Sequence, residues 1–178
     1  MRKLDKSVVL VGMMGAGKSS IGRRLASTLA VPFRDADAEI EAAAGCSVKD
    51  IFEHLGEEAF RDGERRVMAR LLAEPPCVLA TGGGAFCDAE TRARVKATAV
   101  SVWLKADVDL LLERVQRRDT RPLLNNGDTR GTIERLLNER NGIYAEADIA
   151  VESGAGPHTE VVRRIIAALD AHGARSAS

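Results

Sequence analysis

Net charge is the first thing this chain lacks. Its 26 basic and 26 acidic residues cancel across 178 positions, so it is not built to coat nucleic acid or an anionic membrane through a broad electrostatic field. No apolar run approaches the roughly 20 residues that a membrane-spanning helix needs. Met1-Arg2-Lys3-Leu4-Asp5 leads directly into an apolar strand pattern, which leaves no room for a signal peptide and predicts a cytoplasmic chain. The three cysteines, Cys46, Cys77 and Cys87, are odd in number, scattered and without metal-ligand spacing, as expected of free thiols in a reducing compartment. His54, His158 and His172 do not cluster, which argues against a histidine-held metal. Internal repeats and low-complexity linkers are absent too. The length suits one domain, 1–178, with only the 173–178 tail expected to fray.

What is present begins at Gly12. Residues 12–19 read Gly12-Met13-Met14-Gly15-Ala16-Gly17-Lys18-Ser19, the full G-x-x-x-x-G-K-[ST] pattern of a phosphate-binding loop. The apolar run Ser7-Val8-Val9-Leu10-Val11 precedes it as a buried parallel strand should. Ile21, Leu25 and Leu29 follow at the four-residue spacing of one helix face. A loop between strand end and helix start points unpaired N–H groups and the positive end of the helix dipole at a phosphate chain. The candidate nucleotide-binding residues are therefore Gly15, Ala16, Gly17, Lys18, Ser19 and Ser20. Lys18 can reach the β- and γ-phosphates, and the Ser19 hydroxyl can join the shell of a magnesium ion.

Strand and helix patterns alternate along the whole chain, which predicts an α/β fold with a parallel sheet between helices on both faces. Strands are predicted at 8–11, 32–35, 78–80, 99–104 and 149–151. Helices are predicted at 18–30, 37–44, 48–54, 57–73, 88–96, 107–117, 132–144 and 159–171. Between two of these, the polar stretch 119–128 carries Pro122 and Gly127 and reads as a mobile flap, a lid covering about 118–130. The segment 152–157 follows the last strand, at the end where ligands bind in open α/β sheets.

Several residues then stand out by position. Asp35 and Asp37 end the second strand pattern; they could supply one carboxylate to magnesium and one to a nucleophilic hydroxyl, or could serve as a helix cap and a first-turn charge. The strand at 78–80 ends in Thr81-Gly82, without the aspartate common in phosphate-loop proteins, so Asp35 is the nearest candidate for the metal. Gly82, Gly83 and Gly84 form either a plain turn or a backbone that lets a ligand come close. Arg61 borders a buried stripe shared with Met68 and Leu72. Arg140 continues the apolar face of Ile133, Leu136 and Leu137, and an arginine there must find an anion, either an internal carboxylate or a bound carboxylate or phosphate. Arg121 in the flap could swing over a transferred phosphate or stay a solvated charge.

Taken in order, the phosphate loop, Asp35-Ala36-Asp37, Gly56-Glu57-Glu58-Ala59-Phe60-Arg61, Gly82-Gly83-Gly84-Ala85, Arg121-Pro122-Leu123-Leu124 and Arg140 with Tyr144 give a chain that resembles shikimate kinases over about residues 6–170. The resemblance implies a three-layer α/β/α phosphate-loop kinase with a mobile lid, ATP and Mg2+ as cofactors, and shikimate as acceptor. It implies that Asp37 binds a hydroxyl, that Arg61, Arg140 and Gly83 hold the acceptor, and that Phe52, Phe60 and Glu64 line its pocket. It further implies that Arg121 touches the transferred phosphate, that Asp35 reaches magnesium, and that Arg117 (or Arg118) and the loop at Pro157 flank adenine. Lys18, Asp37 and Arg121 are the expected catalytic residues. A monomer without nucleic-acid or membrane partners is expected. The competing readings are a sibling kinase acting on gluconate or a nucleoside monophosphate, and a non-catalytic nucleotide-binding module; the chain has neither a base-recognition region nor the Asn-Lys-x-Asp motif of guanine-binding switches.

Overall fold

The computed structural model describes residues 3–117, 128–173 and 175–176. Strands β1 (Lys3–Leu4), β2 (Ser7–Val11), β3 (Phe33–Asp35), β4 (Val78–Ala80), β5 (Ala99–Lys105), β6 (Ile149–Glu152) and β7 (Arg175–Ser176) alternate with helices α1 (Lys18–Leu29), α2 (Ala36–Ala44), α3 (Val48–Ala73), α4 (Ala89–Thr98), α5 (Val108–Gln116), α6 (Thr129–Tyr144) and α7 (His158–His172). Five strands form one parallel sheet in the order β3-β4-β2-β5-β6, and β1 pairs with β7 as a separate antiparallel ribbon.

The apolar run of β2 explains its place at the centre. Val8, Val9, Leu10 and Val11 are completely buried, with Val9 registered against Leu79 on one side and Ser101 on the other. A strand covered on both faces needs such a run, whereas edge β6 alternates buried Ile149 and Val151 with exposed Ala150 and Glu152. The helices cover both faces of this sheet. The chain passes from β2 out to β3, returns through β4, then crosses to β5. The carboxyl end of β2 is thus the point where the strand order changes side, and the crevice of an open α/β sheet opens there.

Helix ends follow the capping residues. Asp35, Ser47, Asp88, Asp107 and Asp128 each accept a backbone N–H from the first turn of the helix that follows. The predicted division into helices 48–54 and 57–73 holds within α3: Gly56, at a φ of 85° and ψ of 170°, is a non-helical kink between two helical segments. Helix α6 starts at Thr129, three residues before the predicted start, because Asp128 caps it; the polar sequence there had placed these residues in the flap. The tail predicted to fray from 173 instead has Gly173 as a left-handed cap to α7 and returns strand β7 to pair with β1. Strand β1 and the 3-10 turn Ala85–Cys87 lacked a sequence signal, being too short for periodicity. Among the described residues no helix is long and apolar enough to cross a membrane.

Candidate active site

Two adjoining cavities occupy the crevice. The larger, about 260 Å3, lies along the phosphate loop and is lined by Gly15, Gly17, Lys18, Ser19, Ser20, Asp35, Asp37, Thr81, Arg114, Arg117 and His158. The smaller, about 60 Å3, is lined by Met14, Asp37, Val48, Phe52, Phe60, Arg61, Glu64, Gly82, Gly83, Gly84 and Arg140. Asp37 borders both.

The first cavity is a cradle of backbone. Gly17 holds a φ of 95° as the cap of α1, and a Cβ on it would come 3.1 Å from Ile21 Cδ1 and 3.3 Å from Arg114 Nη1. No side chain caps α1, so the N–H groups of its first turn are left to a ligand. Lys18 Nζ donates to the carbonyls of Gly12 (2.6 Å) and Met13 (2.9 Å), which folds the ammonium over the loop beside the space where phosphates would lie. Ser19 Oγ donates to Asp35 Oδ2 at 2.8 Å, while Asp35 Oδ1 accepts the N–H groups of Asp37 and Ala38. Asp35 is therefore both the cap of α2 and the partner of the phosphate-loop serine. The reading of this pair as a helix cap and a first-turn charge holds, with Asp37 in the first turn of α2.

The back of the cradle is held by two residues that sequence reasoning did not single out. Arg114 Nη1 donates to the carbonyls of Gly15 (3.2 Å) and Ala16 (2.9 Å) and to Ser153 Oγ (3.2 Å), and its Nη2 donates to the carbonyl of Gly154 (3.1 Å). Ser153 Oγ also donates to the Ala16 carbonyl at 2.7 Å. Ala16 itself is buried and contributes this carbonyl rather than a lining surface. The signal for Arg114 was available: it flanks Val115 and lies three residues after Leu111, the buried residues of α5, as Arg140 flanks the apolar face of α6.

Arg117 lines the cradle, but its guanidinium pairs with Glu113 at 2.7 Å and is largely exposed. Pro157 caps α7 from an exposed position, and the lining residue at this loop is its neighbour His158. Burial, with the positive charge of Arg114 and Arg24, holds the His158 imidazole below its usual titration range. Arg121 and the alternative Arg118 lie outside the described residues.

The second cavity is built from side chains of separate elements. Arg61 and Glu64 come from α3, Asp37 from α2, the three glycines from the loop after β4, and Arg140 from α6. Arg61 Nη1 donates to Glu64 Oε1 at 2.9 Å. Glu64 is almost fully buried, and among the described residues its Oε2 has no hydrogen-bond partner; nor does Arg140 Nη1, also buried. An orphaned donor and an orphaned acceptor in one small cavity are costly unless a ligand meets both. Burial pushes the Glu64 carboxyl above its ordinary range, partly offset by the Arg61 charge. A Cβ on Gly83 would lie 3.2 Å from Arg140 Nη1, and one on Gly84 2.5 Å from Arg61 Nη2, so glycine is what lets both guanidinium groups close on this loop. Phe52 and Phe60 wall the cavity with ring centroids 4.7 Å apart. Every acceptor-side residue singled out from the sequence is thus in one place; Met14 and Val48 were missed because nothing distinguishes them from core.

The chain is similar to known proteins over nearly its whole length. The shikimate kinase family model matches residues 14–170. A shikimate kinase of Caulobacter vibrioides is 61% identical over 164 residues, covering 92% of this chain and 82% of that protein. One from Bradyrhizobium diazoefficiens is 58% identical over 167 residues, covering 94% and 81%. Among solved structures, shikimate kinase from Acinetobacter baumannii in complex with shikimate superposes with a TM-score of 0.91 at 36% identity, covering 94% of each chain.

Proposed function

This chain belongs to the shikimate kinase family, and on that premise we propose how its two cavities divide the transfer of a phosphoryl group from ATP to the 3-hydroxyl of shikimate. The products are shikimate 3-phosphate and ADP, a step of chorismate and aromatic amino-acid synthesis. The observation that carries the reading is that Asp37 lines the nucleotide cradle and the acceptor cavity at once.

The phosphate loop and Lys18 hold and orient the ATP phosphates. Shikimate is a ring with one carboxylate and three hydroxyls. Its carboxylate meets Arg61 and Arg140, which satisfies the orphaned Arg140 Nη1. The orphaned Glu64 Oε2 suits a hydroxyl donor. Asp37 orients the 3-hydroxyl toward the γ-phosphorus and takes its proton as the new O–P bond forms and the bond to the ADP oxygen breaks. Lys18 neutralises charge developing on the transferred group, and Arg121 joins it from the lid. The Ser19 hydroxyl and the Asp35 carboxylate, hard oxygen donors 2.8 Å apart, fit a magnesium ion. Magnesium, when bound, would supply further neutralisation of the phosphate oxygens. Catalysis in this arrangement is positioning and electrostatics. The reading includes a monomeric cytoplasmic enzyme; the balance of 26 basic and 26 acidic residues supports the absence of a polyanionic partner.

The test is ADP release with shikimate, gluconate and AMP offered separately. Release stimulated by shikimate alone is expected. Stimulation by gluconate or AMP at an equal rate, or by none of the three, would overturn the acceptor assignment.

A further inference from the structure

The two acceptor-side arginines stand on different helices, and something must fix their separation for both to grip one small anion. The glycine loop between them is a poor ruler on its own, because three glycines in sequence have little intrinsic stiffness. Tyr144, at the last turn of α6 and four residues beyond Arg140, is fully buried. Its ring packs on Trp103 of β5 with centroids 5.9 Å apart. Its hydroxyl donates to the Gly83 carbonyl and also interacts with the Arg140 guanidinium.

We propose that Tyr144 is a positioning residue for the acceptor: through the Gly83 carbonyl and Arg140 it locks the glycine loop and the second arginine into one rigid clamp. The peptide unit is planar and trans, so a fixed Gly83 carbonyl makes the Gly84 N–H point the opposite way. Gly84 is the residue against which Arg61 closes. One phenol therefore sets the position of Arg140 directly and the seat of Arg61 through the loop. Trp103 holds the ring from β5, which ties the clamp to the central sheet. This assignment rests on the acceptor reading above and deepens it.

Tyr144→Phe keeps the ring and its packing and removes only the oxygen. We expect the shikimate KM to rise about tenfold, with kcat and the ATP KM changed by less than about twofold. Combined with Arg140→Lys, the two effects should be clearly less than multiplicative, since both loosen one clamp. Amide exchange over residues 82–85, measured without any substrate, should speed up in the variant. Unchanged exchange there would overturn the positioning role whichever acceptor the enzyme uses; a wild type inactive with shikimate would overturn the acceptor reading instead. A large drop in Tm with kcat and both KM values shifted together would mean that Tyr144 serves the fold and not the acceptor.

Discussion

The nucleotide cradle and the acceptor cavity lie side by side, share Asp37, and are made in opposite ways. The cradle's phosphate-facing part is local: a strand end, the six-residue loop 12–17 and a helix start, with backbone groups facing the ligand and Arg114 and Ser153 bracing it from behind. The acceptor cavity is non-local: side chains from α2, α3, α6 and the loop after β4 converge on one space. A backbone cradle recognises any phosphate chain and suits a cosubstrate common to many enzymes. A side-chain clamp can select one acceptor. The comparison teaches that rate and selectivity are separable here, with Asp37 at the boundary.

Substitutions can break that division, and the largest effect is expected on the cradle side. Lys18→Ala should lower kcat by at least about 10²-fold while the fold survives; a variant retaining most of the wild-type rate at unchanged Tm would remove Lys18 from the mechanism. At the boundary, Asp37→Asn should reduce kcat by about 10²-fold or more with the ATP KM little altered. An equal loss of ATP affinity would mean that Asp37 belongs to the cradle alone. On the acceptor side, Arg140→Lys should raise the shikimate KM by about 10- to 100-fold, because a point charge cannot form a bidentate pair. The ATP KM should not follow; if it does, the cavities are not separable.

The smallest effect concerns Glu64. Burial raises its carboxyl above the ordinary value of 4.5, so the folded state holds the proton more tightly than the unfolded chain does. That contribution to stability is present at low pH and is lost as pH rises and the buried group ionises. Glu64→Gln cannot ionise, so its Tm should gain on wild type between about pH 4 and about pH 8, by a few degrees at most. A gain that shrinks as pH rises would show that the Arg61 charge outweighs burial.

How much could be read from the chain follows the same division. The cradle was legible because its pattern is contiguous and its neighbours have clear strand and helix periods. Four of the five sheet strands were legible as apolar runs bounded by turn residues; β3, Phe33-Arg34-Asp35, has a single apolar residue. In the acceptor cavity, Arg140 was legible on physical grounds, as a charge continuing an apolar stripe. Phe52, Phe60 and Glu64 were reached only through the family resemblance, since single aromatics and one acid on a helix read as ordinary core and surface. Ser153, which reaches the Ala16 carbonyl 137 residues away, was legible only as part of segment 152–157 at the ligand end of the sheet, not as an individual residue. Tyr144, bonded to Gly83 across 61 residues, shows the same limit. A hydroxyl bonded to a distant backbone carbonyl leaves no periodicity and no spacing in sequence.

The claim on which the account turns is that Arg61 and Arg140 recognise a carboxylate. The most direct measurement is kcat/KM for shikimate against its methyl ester, which keeps the ring and all three hydroxyls and loses only the negative charge. The account predicts a loss of at least about 10²-fold for the ester, carried by KM. Equal kcat/KM values for acid and ester would contradict it.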